Sequence, residues 1–158
     1  DLEEINWAVL WMVAGGFALG VALNETGLAA NLINAIPFNT WPVLAVLIGS
    51  GVICYTLSNF ISNTATAALL VPILAVVGKS MTAELAPIGG VACLLIGIAV
   101  AASVAMILPI STPPNALAHG TGMIEQKYMA KSGLIMGIIG LVLGYGMLVF
   151  LGSVGFFG

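Results

Sequence analysis

Long apolar runs broken by short polar knots organise this chain. Residues 7–23 (WAVLWMVAGGFALGVAL) carry no charge, and a helix needs roughly 20 such residues to cross about 30 Å of hydrocarbon. The spacing predicts a transmembrane helix over 7–23. Residues 24–37 are more polar, with Leu28, Leu32, Ile33 and Ile36 near one helical face, Thr26 placed to cap and Pro37 to stop. This pattern fits an interfacial arm helix lying along a membrane surface, and equally a loop with one helical turn. Next come an apolar run (43–57), a polar knot SNFISNT (58–64) and a second apolar run (65–78). As helices these arms reach only about 22 and 21 Å, short of the bilayer. Together they predict a re-entrant hairpin over 43–78, turning at a tip over 58–64. Such a tip is tolerated at membrane depth only where protein or a water-filled cavity covers it.

After an aqueous connection over 77–87, residues 88–122 read as one broken helix. The run 88–108 is apolar, and Pro109, Pro113 and Pro114 then forbid a continuous helix. The predicted break is 110–114, with Thr112 as N-cap and the Pro pair in the first turn of a short second piece. A helix over all of 88–108 would span about 31 Å and carry the break past the midplane. Residues 128–152 predict a last transmembrane helix, and its Gly133/Gly137 and Gly140/Gly144 pairs suit close helix packing. The fold class is therefore an all-α membrane protein with a re-entrant helical hairpin and a discontinuous transmembrane helix.

Composition agrees. The chain has 158 residues, 61% hydrophobic and 6% charged, with no Arg and only Lys79, Lys127 and Lys131 as basic residues. A lipid bilayer is the expected environment, a bacterial inner membrane the expected location, and the lack of a basic patch excludes nucleic-acid binding. Lys127 and Lys131 weakly favour a cytoplasmic 122–131 connection. The lone Cys54 and Cys93 sit in apolar runs and read as small hydrophobes. No cofactor is called for. There is no carboxylate in the apolar core, no Ser–His arrangement and no zinc motif, so the chain does not read as an enzyme. Both ends read as internal to a longer protein.

The two polar breaks carry the chemistry. Each is a place where one helix ends and another begins. Carbonyl ends carry partial negative charge and suit a cation, whereas N–H ends suit an anion. In the first break Ser62 or Asn63 caps the returning arm. In the second, carbonyls near Ile110 and Ser111 end one piece and Thr112 caps the next. Ser58/Ser62 and Asn59/Asn63 are each four residues apart, so hydroxyl and amide oxygens recur along the knot. A hard monovalent cation such as sodium is served by these oxygens, and a divalent cage is not. Discontinuous helices of this kind are how many secondary transporters hold substrate and ion.

"SNTATAALLVPI" and "LPISTPPNAL", with "GGFALGVALNETGLA" upstream, closely resemble the C-terminal part of the divalent anion/sodium symporter family, which moves dicarboxylates, citrate or sulfate. The resemblance runs over essentially the whole chain. It implies one repeat of an inverted-repeat elevator transporter, with a homodimer as the complete protein and the N-terminal repeat supplied elsewhere, from the same polypeptide or a second chain. It maps Ser58, Ile61 (carbonyl), Asn63 and Ser111 (carbonyl) onto a sodium site. It maps Ser62, Asn63, Thr64, Thr112 and Pro113 onto the substrate side. The implied function is symport of a divalent anion, such as succinate, with sodium as coupling ion and the only metal. Two other functions compete: a passive anion channel using the same breaks as a filter, and a structural membrane subunit. His119, just after the second break, reads as a polar residue of the cytoplasmic vestibule, with proton coupling as the alternative.

Overall fold

Pro42 opens the first well-defined helix, its fixed φ of −63° leading directly into α1, Val43–Phe60. The computed structural model describes residues 40–157 without interruption, and before them positions 7, 10, 11, 14, 15, 18, 21, 22, 25–28, 31, 35 and 37. The expected transmembrane helix at 7–23 and arm helix at 24–37 thus lie largely outside the described residues. Among these residues all regular structure is helical: α1, α2 (Asn63–Ser80), a single turn α3 (Thr82–Leu85) with a 3-10 turn (Ala86–Ile88), α4 (Gly90–Ser103), a 3-10 turn (Pro109–Ser111), α5 (Pro113–Gly120) and α6 (Gln126–Ser153).

The turn between α1 and α2 is shorter than the predicted 58–64 tip. Only Ile61 and Ser62 leave the helical conformation, with ψ of 168° and 146°. The reason is local. The first helix keeps its backbone ladder through the knot, up to Ile61 N–H on the Leu57 carbonyl at 3.0 Å, with Asn59 Nδ2 also on the Tyr55 carbonyl at 2.8 Å, and Ser62 starts the second by accepting Ala65 N–H at 3.1 Å. Both arms therefore have 18 residues, about 27 Å each. Each is long and apolar enough to cross a membrane, which corrects the argument that the arms are too short to do so.

The second break also differs from its prediction. α4 stops at Ser103, 14 residues or about 21 Å long, and the break between α4 and α5 runs over 104–112, the 3-10 turn Pro109–Ser111 included, rather than 110–114. Pro109 holds Leu108 extended (φ −102°, ψ 154°). The segment ahead of it is then held by side chains from elsewhere. Ile107 N–H donates to Asn59 Oδ1 at 2.8 Å, and Asn115 Nδ2 donates to the Met106 and Leu108 carbonyls at 2.9 and 3.3 Å. Buried backbone groups must be paired, and here two Asn side chains take the place of helical bonds. At its other end α4 is entered through a 69° bend, turned by Gly89 at φ +97°, a conformation L side chains rarely adopt.

Contacts fix how the helices run. Cys54 meets the Ile98 carbonyl and Asn59 meets Ile107, so α1 runs parallel to α4. Gly78 lies on Val91 and Leu94, while Asn63 and Thr64 lie beside Ala102 and Ser103, so α2 runs antiparallel to α4. α1 and α2 consequently form an antiparallel hairpin on α4, sharing a core of Leu47, Leu70, Leu74, Leu94 and Ile98. α6 runs antiparallel to α4 on another side. Its glycines form the contact: a Cβ at Gly140 or Gly144 would come within 2.8 Å of Val104 or 2.6 Å of Val100, and one at Gly133 would strike the Met106 carbonyl. Gly137 makes room for Tyr55, and Gly51 of α1 for Tyr145, whose hydroxyl donates to the Gly97 carbonyl at 2.9 Å. Lipid tails are as apolar as leucine, so close backbone approach supplies much of the association that water would otherwise drive. The opposite face of α6, including Ile138, Val142 and Leu143, is exposed and suits lipid.

Candidate functional site

The helix turn and the helix break come together. Ser111 Oγ donates to the Asn59 carbonyl at 3.1 Å and accepts Leu108 N–H at 3.2 Å. Asn59 and Ser111 are both buried, at 4% and 2% exposure. The hairpin turn is thus pinned to the break by Asn59 from one side and Ser111 from the other. Asn59 uses every polar part of its side chain: Nδ2 on Tyr55, Oδ1 on Ile107 N–H, and a longer Ser111 contact of 3.4 Å. The sequence gives Asn59 no role beyond its spacing to Asn63. Its position at the last turn of α1, facing the break, could be found only once the two segments were placed together.

Each break ends in a capped helix N-terminus. Ser62 Oγ accepts Ala65 N–H at 3.1 Å, and Thr112 Oγ1 accepts Asn115 N–H at 3.3 Å. The structure gives the α2 cap to Ser62, leaving Asn63 as the first helical residue. A hydroxyl that accepts a backbone N–H keeps its own proton, so both caps can still donate outward. They do so beside helix ends where N–H groups favour negative charge.

Among the described residues, three buried side-chain oxygens have no hydrogen-bond partner: Tyr55 Oη, Asn63 Oδ1 and Thr66 Oγ1. Tyr55 Oη is lodged against Gly137, in the helix contact. The other two are one turn apart at the start of α2. Asn63 is half-buried, its Oδ1 enclosed, and it lines a cleft of about 500 Å³ with Thr64, Ala67, Ala99 and Ser103. Thr64 is exposed on this cleft.

The remaining candidate residues fall into place unevenly. Ser58 is fully buried, with its hydroxyl 4.0 Å from Cys54 Sγ. Ile61 is buried and extended, its N–H on the Leu57 carbonyl at 3.0 Å. Pro113 is exposed at the first turn of α5. No hydrogen bond among the described residues joins Ser62, Asn63 or Thr64 to Thr112 or Pro113, and the cleft that Asn63 and Thr64 line is not lined by Thr112 or Pro113. His119 turns away from both: its Nδ1 is 3.2 Å from the Ile124 carbonyl, closing the loop after α5. Glu125 and Lys127 pair at 2.6 Å, both exposed, as a solvated loop would. No group of three His, Cys, Asp or Glu residues able to hold a metal occurs among the described residues. An ion here would be held by neutral oxygens.

Comparison with known proteins gives this arrangement a context. A family model described as the sodium:sulfate symporter transmembrane region matches residues 2–154. The chain is 38% identical over 142 residues to an uncharacterized transporter of Haemophilus influenzae, covering 89% of this chain and 30% of that protein. It is 34% identical over 147 residues to the Na(+)/dicarboxylate cotransporter 3 of Rattus norvegicus, covering 89% and 23%. It is also 34% identical over 142 residues to the sodium-dependent dicarboxylate transporter SdcS of Staphylococcus saprophyticus, covering 89% and 26%. The chain thus spans about a quarter to a third of the length of these relatives.

Proposed function

The chain belongs to the sodium:sulfate symporter transmembrane family, and we propose that it forms one repeat of a sodium-coupled carrier of divalent anions. It is an integral, multi-pass membrane unit: α1, α2 and α6 are each long and apolar enough to cross. A dicarboxylate such as succinate is the proposed substrate, supported by the dicarboxylate transporters among its relatives. Similarity to the Haemophilus and Staphylococcus proteins supports a bacterial plasma membrane as its location.

The observation that carries the reading is Asn63. It begins a capped helix, borders a cleft, and has an enclosed amide oxygen with no partner among the described residues. An Asn amide can give its oxygen to a cation and its NH₂ to a carboxylate. In the proposed mechanism Asn63 Oδ1, with the Ser58 hydroxyl and the Ile61 and Ser111 carbonyls, receives sodium. The Ser62 and Thr112 hydroxyls, the Asn63 amide, Thr64 and the first turn beside Pro113 receive the anion. Neutral donors hold the anion loosely enough to release it, and bound sodium raises the local positive potential that favours its entry. Ion and anion then share a coupling free energy, so each strengthens the other.

The hairpin α1–α2 is proposed to be re-entrant, entering and leaving on one face. Because α1, α2, α4 and α6 share one core, they suit movement as one body in an elevator step. A second repeat, on the same polypeptide or another, completes the two-sided site, and the complete protein is proposed to be a homodimer. The test is uptake of labelled succinate, citrate and sulfate by the complete protein in proteoliposomes, with counterflow. Succinate uptake that follows an inward sodium gradient, with counterflow, supports the proposal. Anion flux indifferent to sodium and lacking counterflow would instead mark a passive channel.

A further inference from the structure

Four hydroxyl side chains inside these helices share one habit. Ser50, Thr56, Ser103 and Ser132 each fold back onto a carbonyl three or four residues earlier, at 2.7–3.1 Å. Three of these four are not even buried, so water or lipid headgroups could have served them. Thr66 breaks the habit. It is fully buried in the first turns of α2, and its Oγ1 bonds neither to its own helix nor to any neighbour among the described residues. A buried hydroxyl without a partner is costly, and valine would fill nearly the same volume without that cost.

The position of Thr66 indicates what would repay it. Asn63, three residues earlier and so on the same helix face, has the second unpartnered oxygen, Oδ1. Across the two-residue turn, Ser58 is also fully buried, its hydroxyl meeting only a sulfur at 4.0 Å. An enclosed amide oxygen is an acceptor only, and no Lys, Arg or His belongs to this part of the chain. A cation held by neutral oxygens satisfies such a set, and a monovalent one suits the absence of carboxylates.

We infer that Thr66 Oγ1 is a further oxygen ligand of the coupling sodium ion, acting beside Asn63 Oδ1. The inference rests on the transport reading above and adds to it a residue that follows the Ser-Asn-Thr knot rather than belonging to it. Through Thr66 the ion is tied one turn deeper into α2, so that binding fastens the start of the helix as well as the turn. Thr66 touches only the ion. It should therefore set sodium affinity directly and anion affinity only through coupling.

The experiment compares the complete transporter with Thr66→Val and Thr66→Ser. Melting temperature is measured in sodium chloride against choline chloride, and succinate uptake is titrated with sodium at saturating succinate. Thr66→Val is expected to melt in choline at the wild-type temperature or above, to lose most of the sodium-induced rise, and to need roughly tenfold more sodium for half-maximal uptake. Thr66→Ser should restore both sodium responses. Should Val not fold, Thr66→Ala removes the same hydroxyl with less bulk and carries the same expectation. An unchanged sodium response in the folded variant overturns the inference, as does destabilisation in choline that Ser does not rescue. Asn63→Ala separates the two levels. If it loses its sodium response while Thr66→Val keeps it, only the role of Thr66 fails. If neither variant changes, the transport reading of this site fails with it.

Discussion

The short turn at Ile61–Ser62 and the long break over 104–112 are built from the same residue types, and they end up in opposite conditions. In the break, Asn59, Ser111 and Asn115 answer one backbone group after another, from Met106 to Leu108. At the start of α2, beside the turn, Asn63 and Thr66 keep oxygens that nothing among the described residues answers. Satisfied polar groups in a low-dielectric interior hold a conformation, whereas unsatisfied ones are an expense that a guest can relieve. The difference sets the two apart: side chains hold the backbone of the break, while the start of α2 keeps two oxygens open, the ones the proposed reading gives to sodium.

Changes at the break should be the most damaging. Gly133→Leu drives a side chain into the Met106 carbonyl, which is backbone and cannot move aside. It is expected to abolish folded protein, read as loss of a monodisperse peak in detergent. Asn59→Ala comes next. It strips Ile107 N–H and Tyr55 O of their side-chain partner, and a buried unsatisfied group costs about 1–3 kcal/mol. Thermal or denaturant unfolding should show a loss of that order or above, with or without sodium. If Asn59→Ala melts normally and loses only sodium dependence, the break is part of the site and the contrast collapses.

Smaller effects sharpen the contrast. Ser111→Ala removes a donor to the Asn59 carbonyl and an acceptor for Leu108 N–H, a loss of about 1–2 kcal/mol of stability. The sodium concentration for half-maximal uptake should stay as it was, because only the Ser111 carbonyl is assigned to the ion. Ser62→Ala should act most mildly. Loss of an N-cap costs about 1 kcal/mol, and the anion loses one of several donors, so succinate affinity should fall a few-fold while sodium affinity holds.

Much of this was legible along the chain, and the parts that were not have physical reasons. The glycine spacing in 128–152 announces close packing, and Gly137 and Gly144 do lie against neighbouring helices, while Gly133 and Gly140 lie against the break at 104–107. Thr112 followed by two prolines announces a helix start, and Thr112 caps one. The end of α4 at Ser103 is a different matter. Pro109 accounts for the extended Leu108, but nothing in the sequence marks the earlier stop at Ser103; beyond it Asn59 and Asn115, 48 and 9 residues away in sequence from the groups they bind, take up the backbone bonds. The arms of the hairpin are longer than their apolar runs because the α1 backbone ladder runs on to Ile61 N–H, on the Leu57 carbonyl, and Ser62 caps α2 so that it starts two residues before its apolar run. Thr66 was invisible for the opposite reason. In "NTATAALL" it reads as an ordinary helical residue, and only its enclosure shows that its hydroxyl has nowhere to turn.

Succinate uptake by the complete transporter carrying Asn63→Ala, titrated with sodium at several succinate concentrations, tests the central claim most directly. Contacts to charged groups contribute about 1.5–3 kcal/mol, so both half-saturation concentrations should rise by roughly ten- to a hundredfold while the protein melts as wild type in choline. Unchanged sodium and succinate titrations in a folded Asn63→Ala protein would show that the residue merely begins a helix, and would contradict the account.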